Sequence, residues 1–238
     1  TSGTTAYDSI GRLNGTYFNT TLKQPGYSMV DTNTGALFGG TNSYVGLISG
    51  LPGSGINFEG TNVSFTIELW AKGGEGQPDE STLIAKGTGA DGTTGNEQFS
   101  IDIASGKYRF FTRGNNNTLY SADATVGPND SWQHIVAVYD QSNPGSPEVR
   151  LYINGELSDS SPGRPQGIQS SSSPVSIGSK RLGNSPGYDG SFDGIIDEVV
   201  IYNTVLSDTE ISTHFAAAYG STLPPSFTTQ PKAMTNYV

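Results

Sequence analysis

Four polar side chains stand inside runs of β-branched and aromatic residues: Lys86 in Leu83-Ile84-Ala85-Lys86, Gln98 ahead of Phe99-Ser100-Ile101, Arg109 in Tyr108-Arg109-Phe110, and His134 in Trp132-Gln133-His134-Ile135. Lys and Arg donate hydrogen bonds, while Gln and neutral His both donate and accept. Such a set suits sugar hydroxyls, provided an aromatic ring covers the apolar face of the sugar. Tyr188 is the candidate ring, because its neighbours Asn184-Ser185-Pro186-Gly187 and Asp189-Gly190 are all loop formers. Arg113 and Tyr120 can flank the set from loops. Trp70 and Trp132 lie within strand patterns and read as core.

Catalytic chemistry finds less support. Retaining glycosidases need two carboxylates about 5 Å apart, and along one strand only alternate positions share a face. Asp197 and Glu198 are adjacent, so they point to opposite faces. His134 sits inside a strand motif, His214 lies beside Phe215 in a helical segment, and no Gly-x-Ser-x-Gly elbow occurs. No catalytic residue is assigned. Asp197 does interrupt an apolar face, and a buried carboxylate needs a partner or a cation.

The elements that position these groups are strands. Val63-Ser64-Phe65-Thr66-Ile67-Glu68-Leu69-Trp70 alternates, with Val63, Phe65, Ile67 and Leu69 on one face. Phe99–Ile103 and Tyr108–Thr112 form a hairpin around Ser105-Gly106, and Asn154-Gly155 turns the chain after Val149–Ile153. In Asp193–Tyr202 the period of two puts Ile195, Val199 and Ile201 with Asp197 on one face. Ile196, Val200 and Tyr202 then share the other with Glu198. After it, Ser207 caps a short helix and Glu210 completes a capping box. Segments 87–97, 114–130, 158–173 and 181–191 are polar and read as loops.

The 238 residues carry 32 Gly and 13 Pro with only 14% charged residues, which fits one large β domain. A net charge of −10 argues against nucleic acid or an anionic membrane as partner. There is no cysteine, so disulfides and thiolate chemistry are excluded.

Several words of the sequence resemble laminin-G-like domains of the concanavalin A-like lectin/glucanase superfamily. They are Phe65-Thr66-Ile67-Glu68-Leu69-Trp70, Leu83-Ile84-Ala85-Lys86-Gly87, Trp132-Gln133-His134-Ile135-Val136-Ala137-Val138-Tyr139-Asp140, and Gly194-Ile195-Ile196-Asp197-Glu198-Val199 with Ile201-Tyr202-Asn203 and Leu206–Ile211. The resemblance spans residues 6–220. It implies an all-β, two-sheet antiparallel jelly-roll sandwich with one short C-terminal helix, the domain occupying 1–221. Residues 222–238 read as a linker and the start of a truncated immunoglobulin-like module. The fold implies a concave face, on which Lys86, Gln98, Arg109 and His134 are expected.

The expected function is a non-catalytic carbohydrate-binding module of a secreted or cell-surface, multi-module bacterial protein. It would be a monomer with a polysaccharide or glycan as partner. The alternatives are an adhesion or spacer domain and, third, a glycan-active enzyme. Relatives carry structural calcium, and here Asp8 and Asp197 would hold it if the terminal strands pair.

Overall fold

The computed structural model describes residues 4–10, 13–28, 30, 32–47, 56–58, 63–89, 95–142, 149–161, 167–182 and 187–220. The expected immunoglobulin-like start at 222–238 lies outside them. In chain order the strands are β1 (Thr5–Ala6), β2 (Gly15–Phe18), β3 (Thr21–Pro25), β4 (Thr34–Gly39), β5 (Tyr44–Leu47), β6 (Phe65–Gly73), β7 (Thr82–Lys86), β8 (Thr88–Gly89) and β9 (Phe99–Ala104). There follow β10 (Lys107–Arg113), β11 (Leu119–Asp123), β12 (Gln133–Tyr139), β13 (Val149–Ile153), β14 (Glu156–Ser161), β15 (Val175–Ile177), β16 (Lys180–Leu182), β17 (Tyr188–Asp189), β18 (Asp193–Tyr202) and one helix, α1 (Asp208–Ala217).

Two antiparallel sheets face each other, an eight-stranded one ordered β1-β2-β5-β15-β7-β9-β10-β11 and a seven-stranded one ordered β14-β13-β12-β6-β18-β4-β3. Alternation fills the space between them. Phe65, Ile67 and Leu69 of β6 and Ile135, Ala137 and Tyr139 of β12 meet Phe99, Ile101, Tyr108 and Phe110 of the opposite sheet. Phe65 stacks on Phe58 at 4.2 Å and contacts Tyr139 at 5.3 Å. Each such fully buried ring contributes about 1.5–3 kcal/mol through removal from water.

The tight turns follow the expected chemistry. Ser105-Gly106 and Asn154-Gly155 both take positive φ at both positions, 51° and 75° and then 55° and 80°. That backbone matches the twist of the flanking strands. Ser207 caps α1 as expected: its Oγ accepts from Glu210 N, while the Glu210 carboxylate accepts from Ser207 N.

β18 departs from simple alternation. Its register against β6 shifts between Asp197 and Val200, and Glu198 takes φ 47°. The extra residue exchanges faces within one strand. Ile196 therefore points into the core before the bulge, and Val199 and Ile201 do so after it. The uninterrupted period had grouped Ile195 with Val199 and Ile201; in the fold Ile196 takes that place. Asp197 pairs with Trp70 in register, on the face turned away from the core.

That outer face of the seven-stranded sheet is covered by α1. Ile211 and Leu206 pack on Val136, Val138 and Tyr152. A small third sheet, β17-β16-β8, occupies parts of 87–97 and 181–191 that the sequence suggested were loops. Strands of two or three residues are too short to show a period.

Candidate functional site

The outer face of the eight-stranded sheet is built from alternate positions. Gly46, Ser176, Ala85 and Ser100 fall in one register row across β5, β15, β7 and β9, and the row continues to Phe111 of β10 and Ser121 of β11. Small side chains in that row let other groups approach the sheet closely. The third sheet does so at one end, where Tyr188 of β17 stacks on Tyr44 of β5 with ring centroids 3.7 Å apart. Tyr44 stacks in turn on Phe18 of β2 at 4.6 Å, leaving Phe18 41% exposed.

At the other end β10 alternates outward as Arg109, Phe111, Arg113, because Tyr108 and Phe110 are taken by the core. The Arg109 guanidinium lies 5.0 Å from the centroid of the Phe111 ring and that of Arg113 lies 5.6 Å away. Two cations over one ring are favourable through its quadrupole. Each guanidinium is also held by a carboxylate. Arg109 Nε and Nη2 donate to the two oxygens of Asp102, both at 2.9 Å, and Arg113 Nε donates to Glu97 at 3.0 Å. Burial raises the Asp102 pKa against the opposing pull of Arg109. A third pair joins Lys180 to Glu80, whose pKa is lowered first by the Lys180 hydrogen bond, with Arg109 and Arg113 adding to the pull.

Of the residues singled out by sequence, Arg109, Arg113 and Tyr188 reach this face. Gln98 and Lys86 do not, and both are fully buried. Gln98 N donates to Lys86 O, and the Gln98 amide binds the backbone of Phe58 and donates to Gln169 O at 2.8 Å. Lys86 shares a face with Val175 and Phe99, between the sheets, and its Nζ donates to Ser173 O at 2.8 Å. Tyr120 packs against the core. His134 belongs to the other sheet altogether, so the expected common face of Lys86, Gln98, Arg109 and His134 does not form. Sequence reasoning passed over Phe111, Asp102, Glu97, Lys180, Glu80, Phe18 and Tyr44. The period of two along β9 and β10 could have found Asp102 and Phe111, which alternate with Ile101, Ile103 and Phe110.

His134 serves a buried carboxylate instead. Its Nε2 lies 2.7 Å from Glu68 Oε1, Tyr202 Oη donates to Glu68 Oε2 at 2.8 Å, and His214 Nδ1 from α1 lies 3.0 Å from both oxygens. Trp70 is stacked beside them by Tyr27 at 4.4 Å and Phe215 at 5.9 Å. Burial raises the Glu68 pKa, but the hydrogen bonds and charges of the two histidines outweigh it and hold the carboxyl at about 2. Such a carboxylate stays charged and sealed under α1, which fits fastening a helix rather than transferring protons.

Asp8 and Asp197, the residues expected to hold calcium, each accept backbone hydrogen bonds. Asp8 accepts from Ile10 N and Leu13 N at 3.0 and 3.2 Å, within its own turn. Asp197 accepts from Glu198 N at 3.0 Å and from Tyr27 N at 3.4 Å. Among the described residues no group of three or more His, Asp or Glu is placed to hold a metal ion.

The strand words, the two-sheet order and the helix on the outer face agree with a family model for the laminin-G type of the concanavalin A-like lectin/glucanases superfamily, which matches residues 38–212. The chain belongs to that superfamily. No curated protein sequence matches it. Among solved structures it is similar to the binding domain of botulinum neurotoxin serotype G, at 18% identity and TM-score 0.62 over 88% of this chain and 48% of that one. It is also similar to the binding domain of Paraclostridial mosquitocidal protein 1, at 18% identity and TM-score 0.59 over 90% and 51%. A further match is domain 4 of an extracellular arabinanase from Geobacillus stearothermophilus in complex with arabinotriose, at 19% identity and TM-score 0.54 over 84% and 80%. The chain thus spans about half the length of the toxin binding domains. At these identities the likeness shows the fold.

Proposed function

We propose that this chain is a non-catalytic carbohydrate-binding module, holding a glycan at the outer face of the eight-stranded sheet beside Arg109, Phe111 and Arg113. The observation that carries the reading is the pair of guanidinium groups beside the buried Phe111 ring, 22% and 14% exposed, each with donors left over after its carboxylate is served. The fold relatives support a binding role: one has arabinotriose bound, and another belongs to a toxin whose cell entry depends on two ganglioside molecules. No helix among the described residues is long and apolar enough to cross a membrane, and a module in a secreted or surface protein suits the reading.

Each direct bond to a sugar contributes about 0.5–1.5 kcal/mol net, so affinities lie between roughly micromolar and millimolar. The test is a glycan array followed by titration of the double variant Asp102→Asn/Arg109→Gln. Exchanging both avoids stranding a buried charge. The reading expects about a tenfold loss of affinity at a near-native melting temperature. Unchanged binding would move the site elsewhere. Released reducing sugar or unsaturated product would make the chain an enzyme, and binding to proteins alone would make it an adhesion or spacer domain.

A further inference from the structure

We infer that the glycan held at Arg109 and Arg113 is a neutral, hydroxyl-rich one, and that sugars carrying carboxylate or sulfate groups are discriminated against. The inference rests on the binding reading above and concerns what the site selects.

Two arginines on one ring would ordinarily suggest an anion site. Here every cation around Phe111 is already matched. Arg109 is held bidentate by Asp102, Arg113 by Glu97 and Lys180 by Glu80. Asp123, directly across from Arg109 on β11, adds a fourth carboxylate to three cations. The local balance is therefore negative, within a chain of net charge −10.

An incoming carboxylate or sulfate could claim a guanidinium only by displacing Asp102 or Glu97. Their side chains are 1% and 4% exposed, so the displaced acid would be left buried without its cation. Stranding a buried charge costs more than a new surface ion pair returns. A hydroxyl needs no displacement. It accepts from the guanidinium N–H groups that Asp102 and Glu97 leave over, with both carboxylates kept buried on their cations.

Arg181 is the nearby exception. It sits across the β16–β17 pair from Tyr188 and forms no ion pair among the described residues, so it is the place where an acidic sugar would anchor if the inference failed.

The experiment compares calorimetric titrations of neutral arabino-, xylo-, cello-, manno- and galacto-oligosaccharides with oligogalacturonate, sialyllactose and heparin oligosaccharides, at low and high salt. The expected result is binding of at least one neutral series with the same affinity at both salt levels, and at least tenfold weaker binding of every acidic probe. Tighter binding of an acidic probe, weakened by salt and by Arg113→Gln or Arg181→Gln, would overturn the selectivity while leaving the binding reading intact. No binding by any probe would overturn the binding reading itself, and the selectivity with it.

Discussion

His214 on α1 reaches across to β6 and sets its Nδ1 3.0 Å from both carboxylate oxygens of Glu68. The bond raises the His214 pKa, burial opposes it, and the Glu68 and Glu210 charges add to the rise. Tyr202 and His134 complete the groups facing Glu68, and Asp208 from the same helix accepts from Tyr152 Oη at 2.7 Å. This contact ties the helix to the sheet and makes the tie depend on pH.

The signs are opposite at the two ends. Glu68 has a folded pKa of about 2, below its ordinary 4.5, so its stabilisation is full above pH 4.5 and is lost as pH falls toward 2. His214 has a folded pKa above its ordinary 6.5, so its stabilisation is full below 6.5 and is lost as pH rises through the raised value. Melting temperature by circular dichroism should therefore peak between pH 4.5 and 6.5. His214→Gln should remove the decline on the alkaline side and keep the acid one. A variant curve parallel to wild type would show that His214 does not set the alkaline limb.

Glu68→Ala should cost about 3 kcal/mol or more, because it leaves His134, Tyr202 and the helix histidine without their acceptor. His214→Ala should cost only about 1 kcal/mol, since its site is nearer solvent. Urea unfolding followed by tryptophan emission measures both, with Trp70 reporting directly from 4.9 Å away from His134. Equal costs for the two variants would contradict a network centred on the carboxylate.

Gly178 links β15 to β16 at φ +78°, and a Cβ there would fall 2.1 Å from Phe38 Cδ1 in the core. Gly178→Ala should lower stability by about 3 kcal/mol through combined backbone strain and overpacking. It should also loosen the small sheet that carries Tyr188. Loss of stability with unchanged hydrogen exchange in residues 180–189 would separate the two effects and refute the second.

Since Asp8 and Asp197 each bond their own backbone donors, a chelator should leave the melting temperature unchanged. A fall in excess chelator that added calcium restores would show a metal stabilising the native state by mass action. That result would return calcium to the structure.

Much of the sandwich is legible along the chain because alternation in β6 and β12, the Asn-Gly turn and the Ser207–Glu210 capping box are local signals. The bulge at Glu198 is not legible: Ile-Asp-Glu-Val reads as unbroken strand, and only pairing with Trp70 and Glu68 shows the shift. The polar residues inside strands were visible as anomalies, but their partners lie far off in sequence. His134 meets Glu68 66 residues away, and Lys86 meets Ser173 87 residues away. A strand pattern shows which residues share a face without showing what covers that face, so a helix-covered sheet and a ligand-accessible one look alike. Arg109 and Arg113 were found for their type, whereas the ion pairs that decide their chemistry come from β9 and the segment before it.

The free edges of the two sheets also bear on how such a chain behaves in company. Asp159 of β14 accepts from Asp123 N at 2.7 Å, and Ser158 accepts from Thr125 N at 3.2 Å, so each sheet's outermost strand on that flank is stitched to the other's by side chains. Backbone donors occupied in this way cannot recruit a strand from a neighbouring molecule. Many copies crowded on one surface could then lie flank to flank without fusing into a continuous ribbon of sheet.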